Sequence, residues 1–473
     1  MEVVSCSPRE ALGPTAACGG RRARRLALQA KALTAGTTAR HAMLLARLEV
    51  GNFWQSRLRR SGMVDTTRQT PTSPFLDRSF MDDPYPALAK LRAEDPVHFV
   101  APLGFWVILR HDDVKRLFND PENATPDRRY WEHFQPRPEG SFMRWVEDNG
   151  FFSLPPEEHG RLRKLFSAAL TPRAVKRYEA QVRETVERFA APLRRASGVI
   201  DLMETFANPI PNAVISRITG IPPAGDDERR FRELAQATIR GFFSFSDEAT
   251  KAAGDNAFLE ISTWVRELAK TRRGSLGEDM ISDLIRAQDR GDRLTDDQIV
   301  MTVTGLIGAG SETTAIGGMI AAMTLLDHPD QMEKLRREPQ WISNGVSEIL
   351  RFGFGGPAGL PRYAVRDFEL RGKKIQKGQM MLLSFGSASR DPTVYEDPDL
   401  FDVTRDVREL ITFGNGPHYC LGANLARQEM GCMIEAMLDF LPPGSRWRKD
   451  LTEFQTLGPF RRPVTLPIEL GRR

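Results

Sequence analysis

The feature that most constrains the fold is a long apolar helix predicted to begin at Asp296. Thr295 and Gln298 form a capping-box pattern, in which the two side chains bond each other's backbone N–H groups. The pattern continues to about Leu326, and some thirty residues at about 1.5 Å each would span roughly 48 Å. Because this helix is apolar nearly all round, we expect it to be buried at the centre of the fold.

The middle of this helix combines small residues with an acid and hydroxyls: Gly305, Gly308, Ala309, Gly310, Ser311, Glu312, Thr313 and Thr314. Each interior glycine costs about 1 kcal/mol relative to alanine, so the cluster calls for an explanation. One interpretation is the close approach of something flat and reactive. The other is a small-residue helix crossing, with the Thr313 hydroxyl bonded back to the Ala309 carbonyl. The helix alone does not separate the two.

A second feature is the turn around Cys420, which leads into another amphipathic helix. Gly414 and Gly416 allow backbone conformations that other residues resist, and Pro417 stiffens the turn. A cysteine just before a helix N-terminus lies near free N–H groups, so we expect a lowered thiol pKa and a strong metal ligand. Gly422 has no side chain, so a flat group could lie directly against the backbone there. The alternative is a buried structural cysteine in a capping turn.

Residues 413–422 match every fixed position of Phe-x-x-Gly-x-x-x-Cys-x-Gly. This segment resembles the haem-binding loop of the cytochrome P-450 family, the haem-thiolate monooxygenases, in their soluble bacterial form. The resemblance covers residues 75–468. It implies a mainly α fold, with a large helical domain and a smaller β-rich lobe. It also implies haem b as cofactor, with Cys420 as the axial iron ligand and Phe413, Gly414 and Gly422 against the haem.

The same resemblance implies further haem contacts. His159 and Arg163 are four residues apart on a predicted helix and therefore share one face. Without the resemblance they would be interpreted as a solvated pair. In the family, residues at these positions and at those of Arg362 and His418 bind the haem propionates. The resemblance therefore implies a propionate-binding role for all four residues.

Residues 309–314 match the family's oxygen-activation motif. The resemblance places Ala309 and Gly310 against the haem and gives Glu312 and Thr313 the catalytic role. The Glu312 carboxylate would bring protons from solvent, and the Thr313 hydroxyl would position the bound oxygen. Glu348 and Arg351 resemble the family's structural ion pair, with Arg405 as third partner, although a bare Glu-x-x-Arg is usually a surface pair.

Other segments indicate where a substrate would lie. Residues 119–151 are rich in proline, arginine and aromatics and are predicted to be irregular, as in a loop over a cavity. Phe242, Phe243 and Phe245 fall between predicted helices, where the family has an access lid. Several glycines, Gly353, Gly355, Gly356 and Gly359 among them, leave room on the approach to Arg362. A bulky apolar substrate is expected.

Composition divides the chain at Met63. Residues 1–62 carry eleven Lys and Arg against three Glu, a net charge of +8, so residues 63–473 carry −4 within the total of +4. Globular patterning begins only after Met63. We therefore predict a basic leader over 1–62, which is disordered or not part of the functional protein, and a single haem-thiolate domain over 63–473. The leader is no evidence for nucleic-acid binding, although an organellar targeting segment would have similar composition.

Four cysteines in 473 residues do not form a disulfide framework, and no run of eighteen apolar residues predicts a membrane span. We therefore expect a cytoplasmic monomer. No flavin or nicotinamide fingerprint and no iron–sulfur cysteine cluster occurs, so electrons from NAD(P)H must come through separate proteins. The expected partners are ferredoxin and ferredoxin reductase, or flavodoxin. Arg161, Lys164 and Arg427 could steer an acidic ferredoxin, or could simply form solvated faces.

The predicted activity is insertion of one atom of O2 into a C–H bond or a C=C bond of a bulky apolar molecule, such as a terpenoid, steroid or polyketide. Hydroxylation of a fatty acid is the alternative substrate class. A peroxide-driven enzyme is disfavoured because such enzymes tend to lose the relay that Glu312 and Thr313 would form. A non-catalytic haem sensor would need neither the relay nor an aromatic-lined cavity.

Overall fold

The computed structural model describes residues 73–76, 79–221, 226–244, 247–289, 294–355, 359–457 and 460–472. The predicted leader over 1–62 and the boundary at Met63 lie outside the described residues. So does Phe245, one of the three phenylalanines expected in a lid.

Helices account for most of the described chain. They are α1 (Ser79–Asp82), α2 (Tyr85–Glu94), α3 (His111–Phe118), α4 (Phe142–Asn149), α5 (Pro156–Ala168), α6 (Pro172–Lys176), α7 (Glu179–Leu193), α8 (Pro209–Thr219), α9 (Asp226–Phe243), α10 (Glu248–Gly274), α11 (Met280–Asp289), α12 (Asp296–Asp327), α13 (Pro329–Arg337), α14 (Ile342–Gly353), α15 (Phe385–Ala388) and α16 (Ala423–Phe440). A π-helical turn at Met203–Ala207 precedes α8.

The strands are β1 (Val97–Val100), β2 (Phe105–Ile108), β3 (Ala124–Thr125), β4 (Val199–Asp201), β5 (Leu360–Ala364), β6 (Phe368–Leu370), β7 (Lys373–Ile375), β8 (Met380–Leu383), β9 (Arg446–Trp447), β10 (Phe454–Leu457), β11 (Phe460–Pro463) and β12 (Pro467–Glu469). Five of them form a mixed sheet in the order β1-β2-β8-β5-β3. Strands β1 and β2 pair around Gly104, with Val97 facing Ile108 in an antiparallel register. The fold is thus mainly α with a smaller β-rich lobe, as predicted.

Helix α12 is the central helix, as its sequence predicts. Thr295 accepts from the Gln298 N–H, and the Gln298 side chain accepts from the Thr295 N–H, so the capping box is present. Among the described helices, α12 alone has the length and hydropathy of a membrane span, yet 72% of its most apolar window is buried inside the fold. That burial is typical of the core helix of a globular protein.

Two helices cross α12 at its glycines and thereby fix the surroundings of the site. On one side, a Cβ at Gly308 would lie 3.1 Å from the Thr238 side chain of α9. On the other side, a Cβ at Gly317 would lie 2.8 Å from the Met430 sulfur of α16. The small-residue crossing considered for this helix therefore exists, and it brings α9 and α16 close to the central helix.

The segment 119–151 is more ordered than its sequence predicts. It contains β3, a 3-10 turn at Arg128–Tyr130 and helix α4. Ser141 caps α4 by accepting from the Arg144 N–H. This serine was the missed signal, because an N-cap serine before Phe142 predicts a helix start.

The same segment is tied to helix α10 by buried charges. The Arg137 side chain, 7% exposed, lies 2.5 Å from Glu147 of α4 and 2.8 Å from Asp255 of α10. Helix α10 in turn touches α9 backbone to backbone, since a Cβ at Gly241 would lie 2.6 Å from the Cα of Gly254. The loop, α9 and α10 therefore form one connected layer.

Candidate active site

The Cys420 turn is closed by its own backbone. The Cys420 N–H donates to the Phe413 carbonyl at 2.8 Å, and α16 begins three residues later at Ala423. Gly414 and Gly416 have φ values of 76° and 71°, which the glycines at these positions supply without strain. The sequence prediction of a turn leading into a helix N-terminus is confirmed.

The Cys420 thiol differs from the expectation in one respect. Burial raises its pKa, whereas the sequence predicted a lowered value. The Gly422 N–H donates to the sulfur, and the positive charges of Arg163 and Arg427 also lower the pKa, but burial has the larger effect. A metal ion at this sulfur would reverse the balance, because a coordinating thiol is deprotonated outright.

The side chain of Cys420 is exposed although it lies deep in the protein, so it borders an internal space. Helix α12 has an exposed face of the same kind. Gly305 and Ala309 are exposed and Thr313 is half-buried, whereas most other residues of this helix are buried. A Cβ at Gly305 or at Gly422 would meet no atom within 4 Å. These surfaces leave room for a flat group.

Thr313 and Glu312 point to different partners. The Thr313 hydroxyl donates to the Ala309 carbonyl at 2.6 Å, the back-bonded arrangement that the sequence left open. This bond uses the hydroxyl proton and leaves the oxygen free to accept. The Glu312 side chain is 1% exposed and forms a salt bridge with Arg462 of β11, itself 3% exposed.

The residues predicted as propionate contacts lie together, as two guanidinium cations and two imidazoles without a carboxylate partner among the described residues. This cationic group is His159, Arg163, Arg362 and His418. The rings of His159 and His418 have centroids 4.2 Å apart, and the buried His159 Nε2 has no hydrogen-bond partner. Arg163 donates to the Tyr419 carbonyl at 2.5 Å, beside the Cys420 turn.

Burial and mutual repulsion act on the whole cationic group. Burial lowers the pKa of Arg362 to about 10, and within the described part of the chain its guanidinium donates only to the Pro361 carbonyl, at 2.9 Å. Burial, together with the charges of His159, Arg362 and Arg163, lowers the pKa of His418 to about 3. Buried charges normally have partners, so this arrangement favours an anion bound among these four residues.

The supporting ion pair is far more buried than a bare Glu-x-x-Arg pattern suggests. Glu348 and Arg351 are both fully buried, and their nearest atoms are 2.6 Å apart. Arg405 reaches Glu348 at 3.3 Å, as predicted, and bonds the carbonyls of Glu396 and Leu400. This network holds the segment before the Cys420 turn against α14.

The glycines before Arg362 do not provide the open space that their sequence suggested. A Cβ at Gly353 would lie 2.5 Å from Ile320, and one at Gly355 would lie 2.2 Å from the Cα of Gly386. Gly359 has a φ of 132° and packs against the Leu383 carbonyl. These three glycines serve close backbone packing. Gly356 lies outside the described residues.

The comparisons with known proteins agree with this geometry. The family model described as Cytochrome P450 matches residues 98–441. Epothilone C/D epoxidase of Sorangium cellulosum is 33% identical over 77% of this chain and 88% of its own length. Vitamin D(3) 25-hydroxylase of Pseudonocardia autotrophica is 33% identical over 78% of this chain and 88% of its own length. The crystal structure of epothilone D-bound cytochrome P450epoK superimposes with a TM-score of 0.75 at 28% identity, covering 86% of this chain and all of that one.

The chain belongs to the cytochrome P450 family. It is a monooxygenase that uses haem b as cofactor, O2 as co-substrate and electrons from redox partners. When bound, a haem held by a cysteine thiolate would supply the chemistry that activates O2 and transfers one oxygen atom to the substrate. The residues of this P450 fit that cofactor, since the cationic group suits its two carboxylates and the exposed faces of Cys420 and α12 suit its flat ring.

Three residues of this P450 were missed by sequence reasoning. Arg462 neutralises Glu312, Arg240 of α9 lies near Arg462, and Glu429 lies on α16 with one carboxyl oxygen unbonded. Burial raises the pKa of Glu429 to about 8, so this carboxyl is protonated at neutral pH. None of the three belongs to a recognisable motif. The buried Glu429 had a weak signal, because it is a lone acid on the apolar side of an amphipathic helix.

Proposed function

We propose that Cys420 is the axial ligand of the haem iron and that the cationic group binds the haem propionates. Phe413, Gly414, Gly422, Ala309 and Gly310 would contact the haem ring. The observation that carries this proposal is the cationic group itself. The guanidinium groups of Arg163 and Arg362 lie beside two histidines and have no described carboxylate partner, an arrangement that favours a bound anion.

In this proposal the Cys420 turn also tunes the thiolate. The Gly422 N–H donates to the sulfur, and Arg163 and Arg427 lie near enough to lower its pKa. Arg427 is held in place by the Phe413 ring, 4.3 Å from its guanidinium carbon. Such contacts reduce the negative charge on the sulfur and thereby adjust how strongly it donates to a metal.

Glu312 and Thr313 are the proposed catalytic residues. Thr313 can accept a hydrogen bond at its free lone pairs while its proton is held by the Ala309 carbonyl. Glu312 forms a salt bridge with Arg462 and has a second carboxyl oxygen, Oε2, without a partner among the described residues. That oxygen can take a proton from water and pass it towards the exposed face of α12.

The proposed substrate is a bulky apolar small molecule. The Phe152 and Phe242 rings are 6.0 Å apart, so the segment before α5 and the end of α9 meet through aromatic side chains. Both rings are substantially exposed, 46% and 44%. Relatives named for epothilone and for vitamin D(3) act on large apolar molecules, which supports the same class here.

We also propose ferredoxin as the electron donor, a cytoplasmic location and a functional domain that begins near Met63. Lys164 of α5 is exposed, and α5 carries Arg163, which contacts the Cys420 turn. A positive side chain at this place could steer an acidic partner. Arg161 is a poorer candidate than its sequence suggested, because Glu158 pairs with it at 2.5 Å.

The test is a pair of cysteine substitutions. Cys420→Ala should abolish the red-shifted Soret band that the reduced carbon monoxide adduct of thiolate-ligated haem shows. Cys432→Ala, which alters a buried cysteine on α16, the helix that follows the Cys420 turn, should leave the band in place. A band lost in Cys432→Ala and kept in Cys420→Ala would overturn the ligand assignment.

A further inference from the structure

Arg240 carries a charge that no acidic side chain of the described residues pairs with. The neighbouring arginines of α9 are paired, Arg230 with Glu260 at 2.6 Å and Arg232 with Glu204 at 3.2 Å. Within the described residues, Arg240 forms no ion pair and no hydrogen bond. Its side chain is exposed, yet burial lowers its pKa, so it borders an internal space as Cys420 does.

The helix and strand periodicities place Arg240 beside Arg462. Arg240 and Phe243 are three residues apart and share a face of α9. Phe460 and Arg462 are two residues apart and share a face of β11. The Phe243 and Phe460 rings are 6.0 Å apart, so these two faces meet. In agreement, the charge of Arg240 lowers the pKa of Arg462.

Glu312, Arg462 and Arg240, here called the Glu312 group, therefore carry two positive charges and one negative charge. Glu312 neutralises Arg462. The charge of Arg240 remains, and no acidic side chain among the described residues alters its pKa. The cationic group is built from other elements, α5, β5 and the Cys420 turn, whereas Arg240 lies on α9 beside Arg462. The haem carboxylates proposed for that group thus do not account for Arg240.

We propose that Arg240 binds the carboxylate of the substrate, and that the substrate is an apolar molecule carrying a single carboxylate. The inference rests on the proposed function and narrows it. One surplus positive charge suits a ligand with a single negative charge. A phosphate monoester is less suitable, because it carries a charge of about −1.5 to −2 at neutral pH. The planar guanidinium can hold a carboxylate through two parallel bonds. Phe243, half-buried on the same face of α9, offers an apolar surface for the rest of the molecule. So does the exposed Ala309, because the neighbouring Gly308 packs against Thr238 of α9.

The test uses probes whose binding does not depend on knowing the substrate. A series of ω-(imidazol-1-yl)alkanoic acids and their methyl esters is titrated into the haem-loaded protein, and imidazole ligation to iron is followed by the Soret shift. At the chain length that reaches Arg240, the acid should bind about 10-fold to 100-fold more tightly than its ester. The preference should disappear in Arg240→Gln and persist in Arg230→Gln, the matched change on the same helix.

Each outcome decides the proposal. Equal binding of acids and esters at every chain length overturns it, and so does an acid preference that survives in Arg240→Gln. If Arg240→Gln does not fold, Arg240→Lys is used instead, because lysine keeps the charge but lacks the two parallel N–H donors of the guanidinium. A reduced preference for the acid over its ester in Arg240→Lys supports the proposal, and an unchanged preference contradicts it. A protein that shows no thiolate Soret band and no imidazole shift would instead refute the proposed function itself.

Discussion

The cationic group and the Glu312 group of this P450 handle buried charge in opposite ways. The cationic group gathers His159, Arg163, Arg362 and His418 without a carboxylate of the described chain, and burial lowers the pKa of each. The Glu312 group contains its own carboxylate and has one positive charge to spare. The first arrangement suits an anion that stays bound, as a cofactor does. The second suits an acid that exchanges protons.

This difference matters because isolated buried charges are costly. Leaving one buried charge without its partner typically costs about 3–5 kcal/mol, a cost that an anion bound at the site would offset. We therefore expect changes in the cationic group to affect haem retention and changes in the Glu312 group to affect turnover. The predictions that follow test that separation.

The largest effect is expected from Glu312→Gln. This change keeps the shape of the side chain and removes the carboxylate that passes protons, so the rate of NAD(P)H-supported turnover should fall by about 100-fold or more. The haem spectrum and peroxide-driven turnover should be retained. Glu435→Gln, on the exposed side of α16, is the matched control. A loss of haem from Glu312→Gln would break the proposed separation of the two groups.

Arg362→Gln should weaken haem retention. The Arg362 guanidinium is 5% exposed and is expected to bond a propionate, and losing a charged hydrogen bond should accelerate haem loss by about tenfold or more. The rate can be measured as haem transfer to apomyoglobin. Arg366→Gln serves as control, because Arg366 is exposed and pairs with Glu122 at 3.0 Å. An unchanged rate of haem loss in Arg362→Gln would contradict its assignment to the cationic group.

The buried carboxyl of Glu429 should make the stability of the fold depend on pH. Burial raises the pKa of Glu429 from 4.5 to about 8, so the folded state keeps its proton while the unfolded state has lost it. The free energy of unfolding should therefore fall as pH rises between these values, by about 1.4 kcal/mol per pH unit. Glu429→Gln removes this loss and should raise the Tm at pH 8, with little change at pH 4.

Glu312→Gln should instead lower the Tm at pH 8, because it leaves Arg462 buried without a partner. Thermal unfolding of both variants at the two pH values checks the pair of predictions. A Glu429→Gln protein with the Tm of the wild type at pH 8 would mean that Glu429 is ionised in the folded state.

The smallest effect is expected outside both groups. Lys164→Glu reverses an exposed charge on α5 and should slow ferredoxin-supported turnover by about two- to fivefold at low salt, with the difference shrinking as salt is added. Peroxide-driven turnover should be unaffected. Lys176→Glu, at the end of α6, is the matched surface change. Equal rates for Lys164→Glu and the wild type would place the docking surface elsewhere.

The sequence was informative where contacts are local. The capping box at Thr295, the pairing of Glu348 with Arg351 and the turn before α16 all involve residues a few positions apart, and the structure shows each of them. The partner of Glu312 is 150 residues away, on a short strand without a motif. No local pattern indicates such a pairing, because it depends on how β11 packs against α12.

The same reason explains the error at Cys420. A cysteine near a helix N-terminus predicts a lowered pKa, and the local contribution of the Gly422 N–H is present. Burial has the larger effect, and burial is set by the packing of distant segments. Local chemistry was therefore predicted correctly, whereas its balance against desolvation was not.

The contact between Gly241 and Gly254 restricts how this enzyme can be engineered or can diverge. Each position leaves no space for a side chain, because a Cβ at either glycine would lie within 2.6 Å of the Cα of the other. Any single substitution must therefore push α9 and α10 apart, and with them Arg240 and the loop that Arg137 attaches to α10. Libraries intended to change selectivity should keep both glycines and vary Phe242 and Phe243 instead. Variants at these two residues retain the contact between α9 and α10, so they can still fold while accepting new substrates.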